Sequence, residues 1–430
     1  MAREADGNTS SVQIDALEWG KLSDWAQLVR LPNVFTLLSN CAAAGVVTVG
    51  SLWPLTAAVP TVLASLMAYW AGMILNDVVD LEADRRDRPT RPLAAGKISP
   101  VIAGHIATGM LLISPILILA VTTFHTTTPL WMGAAFLSAV TLSIMVRLYN
   151  SILKSTLVGP LLMGGCRALN ILMVGCTLYS VHASINVAAP ANNGEITFAE
   201  EAGVETNASG QTLLSAELAD SFPSPLLLFA LGVGLYILGI TVYARHEEHD
   251  SAPAVLVLGL LFELLGLVVI GCLPMWSDRP LPGAPNQTWG YPLLITLIGL
   301  TVLNRGFAGV LHPVSRKVQL AVKHAILTLI FIDAAVVYMW AGPWYAAAVA
   351  LLLLPALTSL IRFDRLSHCN AMGPVRQSAT EFRCSGKRPC SAISGQLICE
   401  PQRASRGLPM ATSPRGPRLA PKVHKSLASA

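Results

Sequence analysis

Ten apolar stretches dominate the chain, at about residues 28–50, 54–76, 101–124, 129–147, 156–180, 225–244, 253–274, 291–311, 319–340 and 344–361. Each is close to the ~20 residues a helix needs to cross the hydrocarbon core of a bilayer. Backbone polar groups in lipid find no water, so a crossing segment must be a helix or a strand of a closed barrel, and these runs are too long and continuous for barrel strands. The pattern predicts an all-α fold, a polytopic membrane helical bundle of nine or ten transmembrane helices over residues 28–361. Only 13% of the 430 residues are charged, about half the share of a soluble domain. A soluble enzyme is excluded, and any chemistry belongs at a membrane face.

The two ends depart from this pattern. Residues 1–27 are mixed in charge and lack a short apolar core followed by a small-residue cleavage site, so they read as a cytoplasmic N-terminal segment before a first helix that is its own insertion signal. Residues 362–430 form a low-complexity basic tail with twelve Lys and Arg against three acids. Without period or apolar face the tail reads as disordered, and a shifted reading frame would look the same. Truncation after Arg362 is expected to leave insertion and function intact; loss of function in a truncated protein that accumulates normally would make the tail functional.

The rest of the chain carries 17 basic and 22 acidic side chains. Its Lys and Arg gather in alternate loops: Lys21 and Arg30, then five residues from Arg85 to Lys97, then Arg147 and Lys154, Arg245, and Arg305 to Lys323. Those loops are expected to face the cytoplasm, with the bundle in the cell (inner) membrane. The opposite loops are short and nearly uncharged, except for residues 181–224, which hold Glu195, Glu200, Glu201, Glu205, Glu217 and Asp220 and read as a solvated outer loop with an Asn207-Ala208-Ser209 triplet. Four cysteines in apolar stretches and four in the tail show no metal-ligand or disulfide spacing.

At the end of the second apolar stretch stand Asn76-Asp77, Asp80, Glu82 and Asp84, leading through Arg85, Arg86, Asp87 and Arg88 to Arg91-Pro92-Leu93. On a helix, Asp77, Asp80 and Asp84 fall within an arc of about 60°, with Asn76 beside them and Glu82 on the far side. Like charges this close repel, and carboxylates at a membrane boundary are costly to desolvate, so the cluster points to a bound cation. Magnesium is the natural one, because it takes hard oxygens and commonly bridges one or two carboxylates to phosphate. An ordinary solvated loop of mixed charge is the alternative, but these acids begin inside an apolar helix rather than after it.

The stretch Asn76, Asp77, Asp80, Asp84 followed by Arg91-Pro92-Leu93 resembles the first aspartate-rich motif of the UbiA family of intramembrane prenyltransferases. The resemblance spans about Leu28 to Leu360. It implies about nine helices around a central cavity in which Mg2+ and basic residues hold a prenyl diphosphate donor, whose isoprenoid group passes to a lipophilic, aromatic or other, acceptor. Asp77, Asp80 and Asp84 become the catalytic metal ligands, with Asn76 and Arg91 beside them as substrate-binding residues. Asn33, in Arg30-Leu31-Pro32-Asn33, looks like the asparagine that lines the family's cavity. Tyr149 and Lys154 resemble the basic stretch after the fourth helix, and Arg167 and Asn170 are polar residues inside the fifth. A buried arginine needs a partner: either an internal ion pair or a diphosphate or acceptor.

The family's second motif, normally a pair of aspartates four residues apart, should follow the sixth helix, where the chain has Tyr243-Ala244-Arg245-His246-Glu247-Glu248-His249-Asp250. Tyr243, His246, Glu247 and Asp250 share an arc of about 100°. Glu247 and Asp250 are candidate ligands of a second magnesium, with Tyr243 and Arg245 as substrate contacts; an ordinary charged turn is the other reading. Glu263 and Asp333, acids within apolar helices, belong either to polar interhelical contacts or to the acceptor cavity. A lipid transporter or lipid-binding protein retaining the fold without catalysis is the competing function. A CDP-alcohol transferase is excluded by the lack of its D-G-x-x-A-R signature. The expected partners are the donor, the acceptor and membrane lipid, with no nucleic acid and no protein partner identified.

Overall fold

The computed structural model describes residues 19–125, 127, 129–188, 224–246, 252–276 and 290–359. The basic tail, most of the acidic loop, and Glu247 and Asp250 lie outside the described residues.

Every regular element among the described residues is helical. A short α1 (Leu22–Leu28) leads into α2 (Leu31–Val49), α3 (Leu55–Val79) and a short α4 (Leu81–Asp87). There follow α5 (Pro100–Phe124), α6 (Pro129–Leu148), a π turn (Tyr149–Leu153) and α7 (Gly159–Ala188). The series ends with α8 (Ser224–Tyr243), α9 (Pro253–Gly271), α10 (Gly290–Leu311), α11 (Ser315–Ala341) and α12 (Pro343–Ala350). Prolines open α5, α6, α9 and α12, where a missing N–H costs no intrahelical bond. Gly50 stops α2 with φ 78°, its N–H bonding the Val46 carbonyl at 2.9 Å.

Nine of these helices are long and apolar enough to cross a membrane, and the protein is an integral membrane protein. The tenth apolar stretch is shorter than a span: its helical segment, Pro343–Ser359, falls below the length of the other nine. The expected alternation of nine or ten thus resolves to nine among the described residues.

Between the helices, packing rests on small side chains and a few buried polar contacts. Asp333 of α11 is fully buried and accepts hydrogen bonds from Ser39 Oγ at 2.5 Å and Asn40 Nδ2 at 2.7 Å, tying α11 to α2. Ser65 of α3 donates to Asn170 of α7 at 2.6 Å, and Cys41 of α2 lies 3.3 Å from the same hydroxyl. Such interhelical bonds contribute about 0.6–2 kcal/mol each. Asp333 is therefore an interhelical contact, which settles the choice the sequence left open for it.

Helix α8 docks closely against α9, where Gly232 and Gly239 meet Gly266 and Gly259. A Cβ at Gly266 would sit 2.5 Å from the Gly232 carbonyl oxygen and 2.6 Å from the Tyr236 nitrogen, both backbone atoms that cannot swing aside. Gly266→Val is accordingly expected to destabilise the bundle by at least about 1–3 kcal/mol. A thermal midpoint in detergent equal to that of the unaltered protein would show that the two helices are less tightly docked.

Candidate functional site

One end of the bundle gathers the N-termini of α2, α7 and α11 and the C-termini of α3, α6 and α8 around a cavity of about 560 Å³. Its walls deeper in the bundle are mostly apolar, with Leu37, Ala68, Met73, Leu142, Met163 and Leu329, interrupted by Thr36, Tyr69, Arg167 and Asn170, and its mouth is charged. That combination suits a ligand with an ionic head and an apolar tail.

The mouth is built by three local devices. First, α3 ends at Val79 and α4 begins at Leu81, with Asp80 between them at φ −80°, ψ 2°. The ladder survives this step, since the Asp80 N–H bonds the Asn76 carbonyl at 3.0 Å and the Asp84 N–H bonds the Asp80 carbonyl at 2.8 Å. The aspartates therefore keep one face. Second, Arg30 caps α2 in a left-handed conformation, φ 51°, uncommon for a residue with a Cβ. This turn sends its guanidinium to Asp77 at 3.4 Å. Third, the π turn after α6 buries Asn150, whose amide donates to the Val146 carbonyl at 2.9 Å, and brings Lys154 onto Asp80. Single π turns inside helices often accompany functional positions.

The three carboxylates share a face as expected, but they do not converge on one point. Asp84, buried, takes Arg91 at 2.6 Å. Asp77, also buried, takes the same Arg91 at 3.3 Å as well as Arg30. Asp80 takes Lys154. The Asn76 amide sits between two of them, 3.3 Å from Asp77 and 3.4 Å from Asp80. Among the described residues no group of three His, Cys, Asp or Glu is placed to enclose a metal. Asp77 and Asp80 with the side-chain oxygen of Asn76 are hard oxygen donors of the kind a magnesium ion takes when phosphate supplies the rest of its shell. The donor set fits such an ion as a bridge to an anion, not as a closed cage, and Asp84 and Asp77 share Arg91.

Of the other residues singled out in the sequence, Asn33, Asn76, Asp80, Arg91, Tyr149, Lys154, Arg167, Asn170 and Arg245 line the cavity. Arg245 donates to the Thr156 carbonyl at 2.8 Å and so docks the end of α8 on the start of α7. Tyr243 is not a lining residue: it is buried against α10, its hydroxyl donating to the Gly306 carbonyl at 2.8 Å. Glu263 is buried in α9 and does not line the cavity either. The structure adds Arg30, Thr36, Tyr69 and Arg88 to the lining. Tyr69 was findable, because Tyr69, Gly72, Met73, Asn76 and Asp80 recur at helical spacing along one face of α3.

No protein-family model matches the chain. The digeranylgeranylglyceryl phosphate synthase of Ignicoccus hospitalis is 26% identical over 291 residues, covering 66% of this chain and 80% of that protein. A solved structure described as giving insight into a digeranylgeranylglyceryl phosphate synthase in membranes is 15% identical, with 75% of this chain and 99% of that one covered and a TM-score of 0.47. A UbiA homolog from Archaeoglobus fulgidus bound to DMAPP and Mg2+ is 15% identical, with 71% and 99% covered and a TM-score of 0.32. At those TM-scores the two superpositions carry no weight. The chain is thus an all-helical integral membrane protein that is similar over 291 residues to a digeranylgeranylglyceryl phosphate synthase.

Proposed function

We propose that the protein is an integral membrane prenyltransferase that moves an isoprenoid group from a prenyl diphosphate to a lipophilic acceptor with Mg2+ assistance. The observation that carries this reading is the pairing of a charged mouth, in which Asp77, Asp80 and Asp84 lie against Arg30, Arg91 and Lys154, with an apolar cavity of about 560 Å³ behind it. A neutral lipid cargo has no use for such a mouth. A diphosphate does, because its charge needs both a metal and flexible cations.

In this reading Asp77 and Asp80 hold the magnesium, which when bound supplies neutralisation of the departing diphosphate. Arg30, Arg91 and Lys154 exchange their carboxylate partners for diphosphate oxygens, and Asn76 keeps the two aspartates in register. The prenyl carbon lies below them among Met73, Leu142 and Met163, away from water, where the acceptor attacks as the C–O bond breaks. A second magnesium on Glu247 and Asp250 is part of the proposal. It is supported by Arg245 two residues earlier, which lines the cavity.

The relative from Ignicoccus hospitalis bears the name of a synthase of a phosphate-bearing prenylated glycerol lipid, which supports prenyl transfer as the reaction class here. The cell membrane is part of the proposal, and the placement of the aspartates on the cytoplasmic side is supported by the Lys and Arg of alternate loops meeting at this one end. The test is incubation of the purified protein in detergent with Mg2+ and prenyl diphosphates of several lengths, with products identified by mass spectrometry. Magnesium-dependent consumption of a donor is expected. Lipid retained without any donor consumed would favour the lipid-binding reading instead.

A further inference from the structure

Lys154 reaches Asp80 from an irregular stretch of chain. The π turn ends at Leu153 and α7 begins at Gly159, so residues 154–158 form a non-helical link with Lys154 at its head. An ammonium on a flexible four-carbon stem is aimed only as well as the backbone that carries it. Within the link, the N–H and Oγ1 of Thr156 both bond to the Leu153 carbonyl, at 3.1 and 2.7 Å, and the Gly159 N–H bonds to the Thr156 carbonyl at 3.2 Å. Carbonyls that follow the last turn of a helix lack partners of their own and must be met from elsewhere.

Arg245 meets two of them. It stands in a tight turn (Ala244–His246) directly after α8, and its Nη2 donates to the Ser155 carbonyl at 3.2 Å and to the Thr156 carbonyl at 2.8 Å. The guanidinium thus spans the two peptide groups that follow Lys154. It makes no ion pair among the described residues, and its charge falls on the carbonyl end of a helix, where a cation is favoured. The other side of the link is closed by α7. A Cβ at Gly159 would sit 2.7 Å from the Lys154 carbonyl oxygen and 3.0 Å from that of Leu153, so the chain entering α7 presses on the backbone of Lys154. Lys154 is held between Gly159 and the two carbonyls that Arg245 takes.

We propose that Arg245 is a positioning residue that fixes the 154–158 link and thereby holds Lys154 at Asp80, ready to exchange that carboxylate for a diphosphate oxygen. It acts through Lys154 and does not touch the donor. The end of α8 is in this way tied to the aspartate motif through three contacts in series: Arg245 on the link, the link carrying Lys154, and Lys154 on Asp80. The part Arg245 plays in the reaction rests on the prenyl-transfer reading, whereas its hold on Lys154 is a separate claim that needs no ligand to be measured.

Two measurements on the full chain in detergent test this. The first is acylation of Lys154 by an N-hydroxysuccinimide ester without ligand, read by peptide mass spectrometry. An ammonium held against a carboxylate reacts slowly, so Arg245→Ala should speed labelling of Lys154 about fivefold. Gly159→Ala, which pushes on the same link and removes no charge, should do the same. The second is binding of inorganic pyrophosphate with Mg2+. Lys154→Met should weaken it about tenfold and Arg245→Ala about fivefold. Because Arg245 acts through Lys154, the double variant should bind within about twofold of Lys154→Met alone, whereas Arg245→Ala added to Arg30→Gln should cost its full fivefold. Arg245→Lys, whose compact ammonium lacks the fork that spans two peptide groups, should restore part of the loss; it and Gly159→Ala carry the same readings if Arg245→Ala does not accumulate. Labelling of Lys154 that is unchanged in the Arg245 variants overturns the proposal. Losses that multiply in the Lys154→Met, Arg245→Ala double variant, or binding lost in Arg245→Ala but kept in Gly159→Ala, also overturn it and put Arg245 on the diphosphate itself. If the unaltered protein binds no pyrophosphate with Mg2+ and consumes no prenyl diphosphate, the prenyl-transfer reading falls, while faster labelling in Arg245→Ala leaves the hold on Lys154 standing.

Discussion

Asp80→Asn is expected to lower prenyl transfer by at least about 100-fold while the protein still accumulates and unfolds at nearly its normal temperature. The substitution keeps the shape of the side chain and removes the charge that a magnesium ligand must carry, and even supporting residues of metal sites are worth about 10- to 100-fold. Asp80 is the informative member of the three. Its side chain is 29% exposed and its partner Lys154 34% exposed, so breaking that pair at the mouth costs little stability. Asp77 and Asp84 are buried and hold Arg30 and Arg91, so losing either charge leaves a cation poorly matched and mixes a folding defect with a catalytic one. Product formation by mass spectrometry, set against membrane-fraction yield and a thermal midpoint, separates the two. Turnover within about twofold of normal in Asp80→Asn would remove the metal from this site.

The aspartate motif was legible because its chemistry is local. Asn76 to Arg91 is one run of sequence, and helical spacing alone puts its acids on one face. The pairings were not legible, because they cross the bundle: Arg30 reaches Asp77 over 47 positions and Lys154 reaches Asp80 over 74. Helical arithmetic also treats a side chain as a direction, so it put three carboxylates on one face without showing which cation each one meets. Arg91 comes back from the following loop and bridges Asp84 and Asp77, while Asp80 turns to Lys154.

Tyr243 shows the opposite limit. Its position on the arc with Glu247 suggested a cavity residue, yet the close packing of α8 on α9 turns it toward Gly306 and Gly309 of α10. Which side of a uniformly apolar helix faces the centre is decided by its neighbours, and α8, apolar all round, carries almost no record of it in its sequence. The polar residues inside the cavity were only partly legible. Arg167 and Asn170 stand out in an apolar helix and Tyr69 shares the face of Asn76 and Asp80, whereas Thr36 is an ordinary residue until the fold sets it beside Arg167.

Magnesium and pyrophosphate are expected to bind synergistically, and Arg91→Gln to change that synergy in a direction opposite to simple loss of a ligand contact. In the structure every carboxylate of the motif already has a cation of the protein: Asp77 has Arg30 and Arg91, Asp84 has Arg91, and Asp80 has Lys154. A magnesium ion arriving alone must displace these cations and then sit beside them, so its affinity should be low. Pyrophosphate takes up the displaced Arg and Lys and offers its own oxygens to the metal, which removes both costs at once. The affinity for Mg2+ should therefore rise at least tenfold at saturating pyrophosphate, and by reciprocity the affinity for pyrophosphate should rise by the same factor with Mg2+. Arg91→Gln frees Asp77 and Asp84 from their shared partner. It should strengthen binding of Mg2+ alone by several-fold while shrinking the synergy, because one of the groups that moves from carboxylate to phosphate is gone. Calorimetric titration of Mg2+ with and without pyrophosphate reads both effects. If Mg2+ binds equally well in the two conditions, or if Arg91→Gln weakens binding of the metal alone, the protein's own cations do not act as stand-ins for the metal and the exchange at the mouth is wrong.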